Sequence, residues 1–184
     1  MYSMKKSATL TLITIICGAY LLQLVDKGLQ TQLMLFKGPY GGQGVAAGEW
    51  YRLFTVALTH GGLMHLGFNM YALLVLGNPI EAAFGKARFL IIFFFSLLTG
   101  SLASLYLTSV DQAAVGASGA IFGLFGAMLI VGKRIGANVK EIAIVIGINF
   151  ALGFVLGGID WRAHLGGLIG GAAISIFLLK ERVR

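Results

Sequence analysis

The sequence predicts an all-α membrane protein in which one domain, residues 1–184, crosses the bilayer six times. Hydrophobic residues make up 58% of the chain and charged residues only 11%, and the mean hydropathy is +0.88. A soluble domain of this length cannot bury so much apolar surface, whereas a bilayer requires it. The apolar segments are continuous and do not alternate with polar residues, which favours spanning helices over a β-barrel.

Each of six apolar segments is close to the ~20 residues that a helix needs to cross the hydrocarbon core. The predicted spans are residues 7–25, 59–79, 88–109, 116–132, 141–158 and 162–180. Lys5 and Lys6 precede the first span, as they would in a signal peptide. That apolar run is long, however, and Asp26 follows it without a small-residue cleavage site, so the first span is expected to be retained.

The basic residues are concentrated on one side of the predicted bundle. Ten of the fourteen are Lys5, Lys6, Lys86, Arg88, Lys133, Arg134, Lys140, Lys180, Arg182 and Arg184. The positive-inside rule therefore predicts that both termini are cytoplasmic. The net charge of +7 indicates contact with anionic lipid headgroups and gives no support for nucleic-acid binding. The compact six-span form favours a multi-pass protein of a prokaryotic plasma membrane.

The longest connection, about residues 26–53, is rich in glycine and lies on the outer side. It carries Trp50 and Tyr51, whose rings are favoured at membrane interfaces, so it is expected to lie there. An ordinary surface loop is the alternative. The chain has one cysteine, Cys17, and no metal-binding spacing, so neither an internal disulfide nor a metal or other cofactor is expected.

Glycine recurs at four-residue spacing in two of the predicted spans. The fourth span contains Gly116, Gly119, Gly123 and Gly126, and the sixth contains Gly166, Gly167, Gly170 and Gly171. Such spacing lets helix backbones approach closely, which predicts that the fourth and sixth spans pack directly against each other. The alternative is that glycine is simply common in membrane helices.

Four polar residues lie where inward-running spans begin. With both termini inside, spans 2, 4 and 6 all start at the outer side, and these starts carry His60, His65, Ser118 and His164. Polar residues at membrane depth are costly and usually functional. The sequence therefore predicts a shared polar site that opens to the outer face.

Ser118 has two interpretations. It could be an ordinary helix N-cap. Alternatively, its small neighbours Gly116, Ala117 and Gly119 leave backbone N–H groups open to a substrate carbonyl, as an oxyanion hole requires, and a helix start adds partial positive charge. If the glycine faces bring spans 4 and 6 together, His164 supplies the base that a serine nucleophile needs.

The neighbouring side chains fit the same chemistry. Phe122 lies four residues after Ser118 and so on the same helix face, where it can pack on the imidazole. His65 and Asn69 share a face and can donate to an oxyanion, although a polar contact between helices is the alternative. His60 and His65 do not form a zinc-binding HExxH motif. No aspartate lies within a span to form an aspartyl dyad, and no lysine lies inside a span to form a Ser-Lys pair, since Lys180 is only the last residue of the sixth.

Five motifs together resemble the rhomboid intramembrane serine proteases, over roughly residues 49–171. They are EWYRLFT (49–55), His60 with HLGFNM (65–70), GNPIE (77–81), GASGAIFG (116–123) and DWRAHLGG (160–167). The resemblance implies a six-helix rhomboid-like bundle whose first long loop lies partly in the membrane.

The resemblance also assigns roles to residues of this chain. It implies that Ser118 is the nucleophile and His164 its general base, in a dyad without an acid. The oxyanion hole is then formed by His65, Asn69 and the backbone N–H of Ser118. Supporting positions are Gly116, Phe122, His60, Trp50, Arg52 and Glu81, of which Arg52 belongs to the family's Trp-Arg signature and Glu81 to its polar network. Tyr51 and Phe122 depart from the commonest pattern, which has tryptophan and tyrosine at these positions.

The expected activity is an endopeptidase that cleaves transmembrane segments of single-span membrane proteins near their outer end. Lateral substrate entry past the fifth span, beside Phe150 and Phe154, is a further expectation. Two alternatives stay open: a catalytically silent relative that binds membrane clients, and a small transporter or channel.

Overall fold

The computed structural model describes residues 7–39, 41–108, 112–155 and 158–181, and all regular secondary structure in these ranges is helical. The helices are α1 (Ala8–Val25), α2 (Gly28–Leu33), α3 (Arg52–Thr55), α4 (Leu63–Phe84), α5 (Lys86–Leu107), α6 (Ser118–Val131), α7 (Val139–Val155) and α8 (Trp161–Glu181). Short 3₁₀ turns occupy Val45–Ala47, Val56–Leu58 and Gly132–Ile135. The predicted all-α membrane bundle is confirmed.

Within the described residues, five helices are long and apolar enough to cross a membrane: α1, α4, α5, α6 with its 3₁₀ extension to Ile135, and α8. Helix α7, with 17 residues, overlaps the predicted fifth span but begins two residues before it. Residues 156–157 of that span lie outside the described residues, as do Lys5, Lys6, Asp111, Arg182 and Arg184.

The second span differs from its predicted bounds at both ends. It begins at Leu63 instead of residue 59, because the turn before it contains Gly61 and Gly62 and stays outside the helix. It then continues through Pro79 to Phe84. Proline lacks a backbone N–H but is tolerated inside membrane helices. The helix ends at Gly85, whose φ of +83° favours glycine.

The core of the bundle is a close contact of α6 with α8, which confirms the direct packing predicted from glycine spacing. A Cβ added to Gly167 would overlap the Gly119 carbonyl oxygen, and one added to Gly171 would overlap that of Gly123. Helix α5 joins the same contact, because a Cβ on Gly100 would lie 2.8 Å from the Ala163 carbonyl oxygen and 3.2 Å from the Gly119 Cα. The three backbones meet where only glycine fits.

Near the last turn of α4, the Glu81 side chain binds the first residues of α1. Its carboxylate accepts the backbone N–H groups of Ala8 (2.8 Å) and Thr9 (2.9 Å), and the hydroxyls of Ser7 (2.9 Å) and Thr9 (2.8 Å). A carboxylate at a helix N-terminus satisfies otherwise unpaired N–H groups and complements the helix dipole. Glu81 therefore ties α1 to α4.

Residues 26–62 are called the first loop, and its described residues, 26–39 and 41–62, include a cluster of contacts around Arg52. This side chain is fully buried. Its Nε donates to Glu49 Oε2 at 2.7 Å, and one NH1 group donates to the Thr31 and Met34 carbonyl oxygens, both at 2.8 Å. The guanidinium carbon lies 4.4 Å from the centroid of the Phe36 ring.

Glu49 completes this arrangement. The pKa of Glu49 is lowered from its ordinary value, first because the Gly44 N–H donates to the carboxylate at 2.6 Å and then because Arg52 does. The pKa of Tyr51 is raised, chiefly by desolvation and then by its hydrogen bond to Glu49. The first loop is thus held by internal polar contacts, while its Trp50 and Phe54 side chains stay 56% and 43% exposed.

Candidate active site

Ser118 is the first residue of α6, and a tight turn places it there. Gly116 has a φ of +110°, and its N–H donates to the Val56 carbonyl oxygen at 3.0 Å. Just before it, Ala114 and Leu35 exchange two backbone hydrogen bonds, of 2.7 and 3.0 Å. The N-cap position belongs to Ala117, so the interpretation of Ser118 as the N-cap is wrong.

His164 lies in the first turn of α8 and is buried against aromatic rings. The Phe122 ring stacks on the imidazole, with centroids 4.0 Å apart and planes 8° apart. Phe150 of α7 meets both rings edge-on, at 6.5 Å from His164 and 5.4 Å from Phe122. Phe150 therefore faces the bundle interior instead of lipid, and the Phe154 side chain lies outside what the structure describes.

The start of α8 is capped independently of the imidazole. Asp160 Oδ1 accepts the N–H groups of Arg162 (3.1 Å) and Ala163 (3.2 Å). The Nδ1 atom of His164 is buried and has no hydrogen-bond partner among the described residues. Within that part of the chain, no carboxylate is hydrogen-bonded to Nδ1 of this imidazole, and the Phe122 ring stacks on it.

The first turns of α6 and α8 are in contact. A Cβ on Gly119 would lie 3.6 Å from the Ala163 carbonyl oxygen and 4.0 Å from the Ala163 Cβ. The residue after Ser118 thus abuts the residue before His164. One turn further along α6, Phe122 covers the imidazole. The hydroxyl and the imidazole therefore belong to adjoining turns at one end of the bundle, the Ser118 end.

His65 of α4 packs against the turn that leads to Ser118. A Cβ on Gly116 would lie 2.8 Å from His65 Cε1 and 2.9 Å from its Nε2, so a side chain at this position would displace the ring. The Gly61 N–H donates to His65 Nδ1 at 3.4 Å. A neutral imidazole that accepts at Nδ1 carries its hydrogen on Nε2. The donor is therefore the nitrogen on the side of Gly116.

Asn69 lies one turn below His65 on the same face of α4. Its Nδ2 donates to the His65 backbone carbonyl at 2.9 Å, and the second amide hydrogen remains for another acceptor. Its Oδ1 is buried without a partner in the described residues. A polar amide is thus held beside the site.

His60 lies in the turn before α4, not on the helix. Gln23 of α1 holds its backbone on both sides, because Gln23 Nε2 donates to the His60 carbonyl (2.7 Å) and Gln23 Oε1 accepts its N–H (3.1 Å). The fully buried ring contacts Tyr20 and His65, with centroid distances of 6.5 and 5.1 Å. Sequence reasoning missed Gln23, although a glutamine among the apolar residues of α1 was the available signal.

Not every predicted site residue belongs to this cluster. The structure brings together Ser118, His164, His65, Asn69, Gly116, Phe122 and His60. Trp50 and Arg52 belong to the first loop. Glu81 lies 16 residues beyond His65 on α4, about 24 Å along a helix.

Comparison with known proteins gives a consistent match. The family model for the Rhomboid domain matches residues 47–181. The chain is 39% identical over 171 residues to "Rhomboid protease GluP" of Bacillus subtilis, covering 88% of this chain and 33% of that protein. It is 37% identical over 146 residues to "Putative rhomboid protease YdcA" of the same organism, covering 77% of this chain and 73% of that protein. It is 38% identical over 143 residues to "RHOMBOID-like protein 5" of Arabidopsis thaliana, covering 73% of this chain and 46% of that protein. The chain thus spans about a third of the first relative.

Proposed function

This chain belongs to the rhomboid family, and from that premise we propose that it is an intramembrane serine endopeptidase with Ser118 as nucleophile and His164 as general base. The observation that carries this proposal is the stack of Phe122 on His164 beside the glycine contact of α6 with α8. It keeps a buried imidazole next to the turn on which the serine hydroxyl stands.

The proposed reaction has two steps. The Ser118 Oγ attacks the substrate carbonyl carbon while His164 Nε2 takes the hydroxyl proton. The tetrahedral intermediate then collapses, and His164 gives this proton to the leaving amine. Water, activated by the same imidazole, hydrolyses the acyl-enzyme and frees Ser118.

The negative charge of the intermediate needs donors aimed at one point. His65 Nε2–H faces the Gly116 turn because Gly61 occupies the other ring nitrogen. Asn69 retains one free amide hydrogen, and the Ser118 N–H, at the first residue of α6, has no partner within its own helix. The partial positive charge of the helix start adds to these three donors.

The proposed substrates are single-span membrane proteins. A helical segment hydrogen-bonds its own carbonyls, so a transmembrane substrate must unwind before Ser118 can reach a peptide bond. Helix-breaking residues near the cleaved bond are therefore expected to raise the rate. The site lies in the first turns of α6 and α8, which favours cleavage near one end of a substrate helix.

We further propose a plasma-membrane location with cytoplasmic termini and an active site that opens to the outer face. Support comes from the basic residues found at the end opposite Ser118. They are Lys86 and Arg88 at the start of α5, Lys133 and Arg134 after α6, Lys140 in the first turn of α7, and Lys180 in the last turn of α8. Basic residues favour the cytoplasmic side.

The decisive experiment is co-expression of Ser118→Ala with a panel of single-span reporters. We expect the variant to accumulate normally and to cleave no reporter. The matched control is Ser175→Ala, which removes a buried hydroxyl from α8 below the site. Normal turnover by Ser118→Ala would end the proposal.

Two further measurements distinguish the alternatives. A silent client-binding relative would leave Ser118 unlabelled by a serine-directed fluorophosphonate, whereas the proposed protease is labelled at that residue. A transporter or channel would show solute flux in liposomes that survives Ser118→Ala.

A further inference from the structure

A second feature lies at the Ser118 end, away from the catalytic cluster. It is a crevice of about 280 Å³ between the first loop and the last turn of α5, which we call the loop crevice. Its lining includes Lys37, Val45, Trp50, Leu105 and Tyr106. We propose that the loop crevice binds one anionic phospholipid. Its headgroup phosphate would contact Lys37, and the part of an acyl chain nearest the headgroup would contact Val45 and Leu105.

The shape of the crevice follows from the first loop. The 3₁₀ turn Val45–Ala47 lies between two glycines with positive φ, Gly44 (+106°) and Gly48 (+95°), which reverse the chain on either side of it. Ala46 and Gly48 line the gap with little side-chain volume. Val45 and Leu105, which are 4% and 6% exposed, form a buried apolar floor.

Among the described residues that line the crevice, Lys37 is the charged one, and it is exposed. The acid that follows in this loop, Glu49, already accepts hydrogen bonds from the Gly44 N–H (2.6 Å), Arg52 Nε (2.7 Å) and the Tyr51 hydroxyl (3.1 Å). The exposed Lys37 therefore supplies the crevice with a cation that complements a phosphate.

The surroundings point to a lipid. Trp50 and Tyr106 flank the opening and are 56% and 67% exposed, and such rings are favoured at the headgroup level. Leu107 beside them is 61% exposed, as expected for contact with acyl chains. An added peptide strand would need free backbone groups, but the N–H groups of Val45 and Ala46 already donate to Phe36 and Lys37.

The test uses the chain's own fluorescence. The chain has two tryptophans, so Trp161→Phe leaves Trp50 as the single reporter. The full chain is reconstituted in vesicles of equal phosphatidylglycerol and phosphatidylcholine, with brominated acyl chains on one lipid or on the other. The membrane charge is then constant, and only the identity of the quencher changes.

We expect stronger quenching of Trp50 when phosphatidylglycerol carries the bromine. The apparent preference should be roughly fivefold, the size expected from one lysine at an anionic surface. Lys37→Gln should make the two mixtures quench equally. Lys27→Gln, which removes another exposed lysine of the first loop that does not line the crevice, should keep the preference.

A third variant distinguishes specific binding in the crevice from nonspecific attraction of Lys37 to anionic lipid. Ala46→Phe fills the crevice while keeping Lys37, and it should abolish the preference. The proposal would be overturned if the two mixtures quenched the parent protein equally or if neither lipid quenched it. It would also be overturned if the preference persisted in Lys37→Gln or in Ala46→Phe. None of these outcomes bears on reporter cleavage by Ser118, so the two proposals fail separately.

Discussion

Gly116 meets two structural requirements that no other residue type meets together. Its φ of +110° makes the turn into α6, a backbone conformation that L side chains rarely adopt. The missing side chain also leaves the space that the His65 ring fills. One glycine thus positions both Ser118, the proposed nucleophile, and His65, a proposed oxyanion donor, which explains why the motif needs glycine at this position.

Asn69→Ala tests the oxyanion hole at the residue scale. It removes one of three proposed donors, so we expect kcat/KM to fall by about tenfold to a thousandfold, less than the loss in Ser118→Ala. The matched control is Asn149→Ala, because Asn149 makes the same type of bond, from Nδ2 to the Val145 carbonyl at 2.9 Å, on the exposed side of α7. An equal loss in both variants would show that Asn69 contributes only to folding.

Glu49 gives the first loop a pH dependence. Because its pKa is lowered in the folded protein, the ionised carboxylate stabilises the loop at pH values above the ordinary value of 4.5. This contribution is lost as the pH falls through the lower folded value. Unfolding temperatures measured from about pH 6 to pH 3 should therefore show an acid transition that is weaker in Glu49→Gln. Glu141→Gln, outside the loop, should retain it; an unchanged transition in Glu49→Gln would refute this role.

Much of the candidate site follows from local spacing. The four-residue interval places Phe122 one turn from Ser118, and helix geometry then brings its ring to His164. The predicted second span includes His60, although Gly61 and Gly62 after it are the sequence signal that the helix begins only at Leu63. The contact of His60 with Gln23 joins residues 37 positions apart, and no pattern within one segment encodes such a pair.

At the scale of helices, the bundle depends on backbone contact. The glycine spacing of α6 and α8 predicted their packing, but it gave no sign that α5 would join them. Besides Gly100, the α5 side chains that lie against α6 and α8 are Ser96, Thr99 and Ala103, which are small but not glycine. A glycine repeat is therefore readable from sequence, whereas the part played by other small residues emerges only when three helices are assembled.

Gly167→Ala tests this contact. The added methyl group would overlap the Gly119 carbonyl oxygen, so α6 and α8 must separate. We expect the free energy of unfolding in detergent micelles to fall by about 1–3 kcal/mol, the usual cost of overpacking. Gly18→Ala in α1, where nothing lies within 4 Å of the added Cβ, should change it by less than about 0.5 kcal/mol. Equal stabilities of the two variants would contradict the close contact.

At the scale of the whole molecule, the orientation can be read with cysteine chemistry. The chain has one cysteine, so Cys17→Ala provides a background without thiols. In intact cells, we expect an impermeant maleimide to label Lys27→Cys at the Ser118 end and to leave Lys133→Cys unlabelled until the membrane is permeabilised. The reverse pattern would place the active site on the cytoplasmic side.

Main-chain hydrogen bonds join the first loop to the segment that leads to Ser118. Leu35 and Ala114 exchange two hydrogen bonds, and Val56 accepts a third from Gly116, two residues before the serine. A thicker or thinner bilayer that lifts or lowers the loop would strain these three bonds and so shift the position at which α6 begins. Turnover is then expected to be a joint property of the polypeptide and its host membrane, with lipid thickness acting as a mechanical effector.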